Sequence, residues 1–463
     1  MSGMIRGLQI GISTLMAHQR AIDVTSQNIA NVNTPDYQRQ RVNFREMSGP
    51  SGIKDPPVLG NGVYAQGVSR FATPFIDDQM RRQRGIGENY ALTEELLEQV
   101  ESVLTEPSST GINARLDEFW NSWQSLATMP AEDGARVVLL QAGTQLTSTI
   151  KEARGFVQNM YENLPSQVSS RVQRINDIAT EMVELNEQII RANAQYGGSG
   201  GAVPVEQRRT ELFFELADLT DFRLVTEESG MARITIGSDS LVDDGGAHHL
   251  KIDENGAVKW AESDRAFKTA SGQMKALLDI QNTTIPGVIE KLDELAVGLR
   301  DRVNEIHQDG YGIDGSTGLD FFVGTNAATI AVNPDLLAAP AKIATGDLPN
   351  SIGDSSAALR MVGLSTALTM GGTPPTHSIN GFFRTTVTDL GLSIRHATSS
   401  KEASDVVFNH LTDRRQAISG VSMDEEVANL LSYEKAFQAG ARIINVVDEM
   451  MDQVINRMGL VGR

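Results

Sequence analysis

The sequence has no cysteine, few aromatic residues and no long apolar run. Without cysteine, disulfides, thiolate metal sites and a cysteine nucleophile are excluded throughout the 463 residues. Phe, Trp and Tyr make up 5% of the chain, a content that suits long helices better than an all-β fold. No stretch approaches the roughly 20 consecutive apolar residues of a membrane span, so no membrane insertion is expected. Residues 1–12 also lack the long apolar segment of a cleavable secretory signal.

The chain is strongly acidic. Its 40 Lys and Arg residues stand against 59 Asp and Glu residues, which gives a formal charge of −19. Nucleic-acid binding relies on basic patches that contact phosphates, so nucleic acid is not an expected partner. The negative charge is interpreted as a contribution to solubility. A chain of this length exceeds what one hydrophobic core usually holds, which predicts two or three domains.

Both ends of the chain carry apolar residues at heptad spacing. A repeat of 3.5 residues keeps one side of a helix facing a partner helix. The N-terminal stripe consists of Ile5, Leu8, Ile12, Leu15, Gln19, Ile22, Ser26 and Ile29. The C-terminal stripe consists of Leu430, Tyr433, Phe437, Gly440, Ile444, Val447, Met451, Val454, Met458 and Val461. We expect these stripes to form an assembly interface, in which the ends pair with each other or with neighbouring copies.

Helical periodicity also fills most of the middle of the chain. Predicted helices cover residues 2–30, 76–104, 112–127, 132–196, 205–219, 271–308 and 379–418, and a last helix begins at about Ser422. Pro165 is predicted to kink or divide the longest helix, and Pro286 to interrupt or kink another. Ser422 and Glu425 predict a capping box at the start of the last helix.

Two regions read as β structure. Alternating side chains near residue 40 predict a strand, with Val42 and Phe44 on one face and Arg39, Arg41 and Arg45 on the other. With a second strand over 63–71, this region forms a hairpin-like excursion over residues 37–75. Short strands separated by glycine-containing turns predict a small β-subdomain over 205–265. The predicted fold class is mainly α with β insertions: a terminal-helix coiled coil, a long helical bundle domain and a small β-subdomain.

The first helix ends in an asparagine-rich segment. Asparagine tolerates a left-handed backbone, and a proline pushes the preceding residue out of the helical conformation. We predict a joint between the inner helix and the outer domains, not a ligand site, formed by Asn28, Asn31, Asn33, Pro35 and Tyr37. A plain helix terminus is the alternative interpretation.

No group of residues predicts catalysis. None of the seven histidines stands in an HExxH arrangement or at another metal-ligand spacing, and His248 and His249 are interpreted as surface residues of a strand. The glycine- and aspartate-rich segment 309–320 misses the calcium-loop pattern and predicts a tight turn. Residues 424–426 place three carboxylates at a helix start, where the helix dipole accounts for them. We therefore expect no catalytic, metal-binding or cofactor-binding residues.

Four segments carry a family resemblance. Residues 25–37, TSQNIANVNTPDY, resemble the N-terminal signature of flagellar rod, hook and hook-associated proteins, and residues 421–442 resemble the C-terminal domain of the same superfamily. Residues 204–212, PVEQRRTEL, and residues 292–322 resemble the hook-associated protein 1 family within it. The resemblance reaches from Ser2 to Arg463.

The resemblance implies a structural protein that links the flagellar hook to the filament and is needed for filament assembly. It implies export in an unfolded state through the flagellar type III apparatus, and therefore an extracellular location. The implied partners are other copies of the chain, hook protein, neighbouring junction and filament proteins, and an export chaperone. Two alternatives stay open: another axial rod or hook protein, and a secreted enzyme such as a peptidoglycan hydrolase.

The resemblance and the composition together predict four regions. Residues 1–33 with 421–463 form an inner terminal-helix coiled-coil domain. Residues 34–204 with 266–322 and 368–420 form the long-helix domain, and residues 205–265 the β-subdomain. Many family members carry a large β-domain after the Asp-Phe-Phe segment that ends at Phe322, whereas here residues 323–367 are expected to form only a short, loop-rich insertion in its place.

Overall fold

The computed structural model describes residues 2–34, 37–47, 62–71, 73–104, 111–196 and 202–454. Its helices are α1 (Ser2–Ala30), α2 (Pro74–Leu104), α3 (Ile112–Thr128), α4 (Asp133–Tyr196), α5 (Val203–Leu219), α6 (Gln273–Asp279), α7 (Ile285–Asp309), α8 (Pro334–Ala338), α9 (Ser356–Leu364), α10 (Ile379–Ser419) and α11 (Met423–Asp452). Helices account for 67% of the structure, which confirms the predicted mainly α fold class. Within the described ranges, no helix is long and apolar enough to cross a membrane.

The strands form small antiparallel sheets. They are β1 (Gln40–Glu46), β2 (Val63–Arg70), β3 (Arg223–Thr226), β4 (Ala232–Ile236), β5 (Asp239–Asp243), β6 (Gly246–Ala247), β7 (Leu250–Ile252), β8 (Val258–Trp260), β9 (Phe322–Val323) and β10 (Ala331–Val332). Strands β1 and β2 form a hairpin, and β3 to β6 form a four-stranded sheet in sequence order. Strands β5 and β6 were not predicted. These strands and the turn between them are rich in aspartate and glycine, which are depleted in strands.

Helix α4 continues through Pro165, so the predicted division of this helix does not occur. A proline inside a helix removes one hydrogen bond and costs about 3 kcal/mol or more. Apolar residues on both sides of it are completely or almost completely buried, among them Val157, Leu164 and Val168. Each such side chain contributes about 1.5–3 kcal/mol on burial, which outweighs the cost of the proline.

The predicted interruption near Pro286 is present. A π-helical turn over Ile280–Thr284 separates α6 from α7, and Pro286 lies in the first turn of α7. The helical backbone continues through this turn, where the Ile285 N–H bonds to the Ile280 carbonyl oxygen, and a π-helical turn of this kind accommodates a following proline. The periodic segment around Pro286 is therefore two helices joined by a wider turn.

The chain folds into two compact units. Unit 1 contains residues 1–86, 172–272 and 403–463, and unit 2 contains residues 87–171 and 273–402. An aromatic group of unit 2, with neighbouring ring centroids 4.8 to 6.3 Å apart, consists of Phe119, Trp120, Trp123, Phe321 and Phe322. The four predicted regions, including the separate inner domain, stay predictions.

A fully buried arginine lies near the start of α4 in unit 2. The Arg136 side chain is 0% exposed. Its guanidinium donates hydrogen bonds of 2.8 Å to the carbonyl oxygens of Ile343 and Pro130, and one of 3.3 Å to the Thr345 hydroxyl. Burial lowers the pKa of Arg136. The side chain therefore connects the loop before α4 and the segment around residue 344 to the helix through hydrogen bonds.

A buried histidine of α7 also forms a hydrogen bond with the segment around residue 344. His307 Nδ1 lies 2.6 Å from the Leu319 carbonyl oxygen, and His307 Nε2 accepts a hydrogen bond of 3.1 Å from the Ala344 backbone N–H. These two contacts require the neutral ring with its proton on Nδ1. Burial lowers the pKa of His307 from 6.5 to about 4.

We expect unit 2 to lose stability as the pH falls from 6.5 towards 4. Between these values the unfolded state binds a proton at His307 that the folded state excludes, so stability is fully present above pH 6.5 and declines down to pH 4. The full loss corresponds to about 3 kcal/mol. Denaturant unfolding of the wild type and of His307→Gln across this range measures it, with exposed His410→Gln as the control. An equal pH dependence of wild type and His307→Gln would contradict the assignment.

Candidate assembly interface

Helices α1 and α11 pair within unit 1. The predicted C-terminal stripe forms the α11 side of the pair: Val447 is 4% exposed, and Leu430, Tyr433, Phe437, Ile444 and Met451 are half-buried. Gly440 is buried in the same line. Val454, at the end of the described residues, is exposed, and Met458 and Val461 lie outside them. The heptad spacing therefore identifies the side of α11 that faces α1.

On α1, the residues that face α11 each lie one position before a residue of the predicted stripe. A methyl group on Gly11 would lie 2.6 Å from Ile444 Cγ1, and one on Gly7 would lie 3.1 Å from Val447 Cγ2. The His18 ring lies 6.0 Å from the Tyr433 ring, in the same line as Gly7 and Gly11. This line is offset by about 100° from the predicted one, because each helical residue turns the chain by that angle. Glycine allows the close approach and carries no apolar signal, which is why the spacing of large residues missed it.

The predicted N-terminal stripe lies beside the contact line. Ile5 and Ile12 are 54% and 41% exposed, while Leu8, Leu15, Ile22 and Ile29 are half-buried. Leu15 still approaches Gly440. The pair thus leaves large apolar side chains in water on both helices: Ile5, Ile12 and Met16 on α1, and Met423, Val427, Leu431, Ile443, Val446, Met450 and Val454 at or beside α11. We call these ten residues the exposed terminal stripe.

The hairpin also packs against α1, next to its contact with α11. Ala21 and Val24 of α1 form one buried cluster with Val42, Val68 and Val203. An aromatic group joins the hairpin to both terminal helices, with ring centroids 5.4 to 6.0 Å apart, and consists of His18, Phe44 and Tyr433. Burial lowers the pKa of His18. The hairpin therefore covers part of the helix pair that would otherwise be solvent-exposed.

Asn28, the first residue of the predicted joint, makes four hydrogen bonds. Its Nδ2 donates to the Gln40 carbonyl oxygen and to Glu426 Oε2, both at 2.8 Å. Its Oδ1 accepts from the Gln40 N–H and the Tyr37 hydroxyl, both at 3.0 Å. Every donor and acceptor site of this 1% exposed amide is thus occupied. Asn28 connects the end of α1 with the start of β1 and the start of α11.

The other predicted joint residues are placed less tightly. Asn31 is half-buried, and its amide donates to the Gln27 carbonyl oxygen at 2.9 Å. Asn33 is exposed, and Pro35 lies outside the described residues. Burial raises the pKa of Tyr37, and the negative charge of Glu426 raises it further. Asn28 and Tyr37 therefore hold the two ends of the segment, and Asn33 between them is exposed.

Glu426 completes this arrangement at the start of α11. Its carboxylate is 2% exposed and lies 2.7 Å from Arg39 Nε, while Arg39 Nη1 lies 2.7 Å from Glu425. We call Asn28, Tyr37, Arg39 and Glu426 the terminal node. The predicted capping box is absent, because Ser422 makes no side-chain cap and Glu425 pairs with Arg39 instead. Arg39 and Glu426 were not predicted as site residues; the adjacent carboxylates at residues 424–426 were the one signal available.

The histidine pair of unit 1 lies in the segment between β6 and β7, not within a strand. His248 stands between two carboxylates, 2.6 Å from Glu262 and 3.1 Å from Asp243, and the hydrogen bond to Glu262 raises the pKa of His248. Among the residues that the structure describes, no group of three or more His, Asp or Glu side chains is placed to hold a metal ion.

Comparison with known proteins matches most of the chain. The family profile "Flagellar hook-associated protein FlgK helical domain" matches residues 97–322. Profiles of the "Flagella basal body rod protein" and of the "Flagellar basal body rod FlgEFG protein C-terminal" match residues 8–38 and 415–458. The terminal helices and the central part are thus matched by different profiles of flagellar proteins.

Individual relatives cover the whole length. The chain is 26% identical to flagellar hook-associated protein 1 of Bacillus subtilis over all of both chains, and 22% identical to that of Escherichia coli over 98% of this chain and all of the relative. The solved structure of the flagellar hook junction protein FlgK from Burkholderia pseudomallei has the same fold, with a TM-score of 0.64 and 12% identity over 74% of this chain and all of that one. The chain belongs to the flagellar hook-associated protein 1 family.

Proposed function

We propose that the chain is a structural component of the bacterial flagellum that links hook to filament and is needed for filament assembly. The observation that carries the proposal is the exposed terminal stripe. The ten residues are 37–69% exposed. Many large apolar side chains exposed on one helix pair mark an interaction site.

Copies of the chain are the expected partners of the stripe. A two-helix pair buries one side of each helix, and here apolar side chains remain on the neighbouring sides of both. Burying a large aliphatic side chain contributes up to about 1.5–3 kcal/mol, so burial of the stripe between copies would stabilise the assembly. In the proposed assembly, residues 1–33 and 421–463 form the inner layer, and the predicted interface residues pack within and between copies.

The remaining partners follow from the family. We propose contacts with hook protein and with neighbouring junction or filament proteins, and an export chaperone before assembly. The protein is proposed to be exported unfolded and to act outside the cell, without catalysis and without cofactors. The helical-domain profile over residues 97–322 supports a junction protein over a rod or hook protein, and no described contact favours a hydrolase.

The asparagine-rich segment is proposed to be a restrained joint. Asn28 and Tyr37 fix its ends through a hydrogen bond, whereas Asn33 is exposed and is a residue type that tolerates a left-handed backbone. Adjustment between neighbouring copies would therefore occur over a few residues, and not at the end of α1 itself.

Ile12→Asp should abolish filament assembly without unfolding the monomer. Ile12 is 41% exposed, so the monomer tolerates a carboxylate there, whereas burying that unpaired charge between copies costs several kcal/mol. The matched control is Phe156→Asp, because Phe156 on α4 is also 41% exposed. Both variants are produced in a strain that lacks the wild-type protein. Filament formation is scored by microscopy, and thermal unfolding of each purified variant is compared with that of the wild type. Normal filaments with Ile12→Asp would contradict the proposal.

A further inference from the structure

The His248 side chain lies between two small sheets of unit 1. His248 follows β6, and its backbone N–H donates a hydrogen bond of 2.9 Å to the Leu241 carbonyl oxygen of β5. The carbonyl oxygen of the next residue, His249, accepts a hydrogen bond of 2.8 Å from the Ala261 N–H, just after β8. The backbone thus places His248 where the four-stranded sheet of β3 to β6 adjoins the hairpin of β7 and β8.

Each ring nitrogen of His248 faces a carboxylate. Nδ1 lies 2.6 Å from Glu262 Oε2, and Nε2 lies 3.1 Å from Asp243 Oδ2. The other oxygen of Asp243, Oδ1, accepts a hydrogen bond of 2.8 Å from the Gly245 N–H, which fixes this carboxylate on the turn after β5. An ionised carboxylate only accepts hydrogen bonds, so both contacts require a proton on both ring nitrogens. A neutral ring can donate to one of the two carboxylates but not to both.

The charges that act on the ring come from these two carboxylates. The hydrogen bond to Glu262 raises the pKa of His248 most, burial opposes the rise, and Asp243 adds to it. The neighbouring Asp244 is paired with Arg233 of β4, and His249 contacts the Thr180 hydroxyl of α4 at 3.3 Å. We call Asp243, His248 and Glu262 the histidine bridge.

We propose that the histidine bridge is a pH-sensitive link that joins β5 to the segment after β8 while the ring is protonated. When the ring loses its proton, one of the two carboxylates is released, because the bare nitrogen cannot donate to it. The small sheets of unit 1 are then connected more weakly. The bridge is a property of the single molecule and does not depend on the proposed assembly of copies.

The contribution of the bridge to stability has a defined pH range. Because the pKa of His248 is raised in the folded state, the contribution is fully present below the unfolded value of 6.5 and is lost as the pH rises through the folded value. Between the two values the folding constant falls by up to about tenfold per pH unit. His307 of unit 2 acts below pH 6.5 and in the opposite direction. The two histidines therefore affect the two units on opposite sides of pH 6.5.

The test compares denaturant unfolding of the full-length wild type with that of His248→Gln at a series of pH values from 6.5 upward. The wild type should be more stable at pH 6.5 and should lose this advantage as the pH rises, because glutamine cannot gain the second proton. Both proteins contain His307, so its contribution cancels in the comparison. His249→Gln is the matched control and should retain the pH dependence of the wild type.

A second measurement follows the ring itself. In an NMR titration, the imidazole signal that is missing from His248→Gln should report a pKa above 6.5 in the wild type. Glu262→Gln and Asp243→Asn should each lower this pKa, because each removes one negative charge beside the ring.

Four results would overturn the inference. One is an equal pH dependence of wild type and His248→Gln, and another is a pKa of His248 at or below 6.5. The third is a pKa that stays unchanged in both Glu262→Gln and Asp243→Asn, which would show that the carboxylates do not hold the ring. The fourth is loss of the pH dependence in His249→Gln to the same extent as in His248→Gln. Ile12→Asp reports on assembly alone, so a failure of the bridge and a failure of the proposed function are distinguishable.

Discussion

Glu426→Ala should destabilise unit 1 by about 3–5 kcal/mol. It breaks a buried ion pair, and Arg39 and Asn28 lose the carboxylate that they both contact. The Arg39 guanidinium would retain only the exposed Glu425, and one Asn28 amide hydrogen would lose its acceptor. Each buried donor left without a partner costs about 1–3 kcal/mol. Urea unfolding followed by circular dichroism measures the change. Amide hydrogen exchange should also show faster exchange near the end of α1 and the start of α11.

Glu425→Ala is the matched control for this result. Glu425 also bonds Arg39, at 2.7 Å, but its side chain is 63% exposed, and surface pairs contribute at most about 1 kcal/mol. Glu426→Gln should fall between the two, because the amide oxygen still accepts from Asn28 although the charge is lost. Equal stability of Glu425→Ala and Glu426→Ala would show that the node does not hold the terminal helices.

Arg136→Ala should destabilise unit 2 by a similar amount, about 3–5 kcal/mol. The substitution leaves a cavity in place of a completely buried side chain and removes the donors to two carbonyl oxygens and a hydroxyl. Fluorescence is a suitable probe, since two of the three tryptophans, Trp120 and Trp123, lie in unit 2. Denaturant unfolding should show an earlier transition in this signal.

The control for Arg136 is the exposed Arg384 of α10, also in unit 2. Arg384→Ala removes the same charge and should change stability by less than about 0.5 kcal/mol. Arg136→Lys should recover part of the loss, because an ammonium group reaches fewer of the three acceptors than a guanidinium fork. If Arg136→Ala and Arg384→Ala unfold at the same denaturant concentration within error, Arg136 does not stabilise unit 2 as proposed.

The sequence carried enough information for the helices but not for their contacts. Apolar periodicity placed α1, α3, α4 and α10 within about two residues, because the apolar stripes of these helices are long and regular. On α11, the heptad residues from Leu430 to Met451 are half-buried or buried, and their role in assembly stays a prediction. On α1 the contact is made by Gly7 and Gly11, and no hydrophobic pattern distinguishes a glycine that allows close approach from one that ends a helix.

The long-range polar contacts could not be predicted from the sequence, for another reason. The terminal node joins Asn28 to Glu426, and Arg136 joins α4 to a segment about 200 positions later; one sequence alone contains no signal for such pairs. The acidic group at 424–426 was attributed to the helix dipole, which explains carboxylates at a helix start but not the burial of one of them. The burial of His307 could not be predicted either, because it depends on Leu319 and Ala344, which contact the ring only in the folded chain.

The hydrogen bond between Asn28 and Glu426 spans 398 positions of the chain. Contacts of such separation form late, because the entropy of closing a large loop opposes them until the intervening segments have folded. During synthesis α1 leaves the ribosome several hundred residues before its partner exists. A chain truncated anywhere before α11 therefore has no node and no helix pair, and only a completed molecule can present its two ends together. The contact therefore exists only in a molecule that contains both α1 and α11.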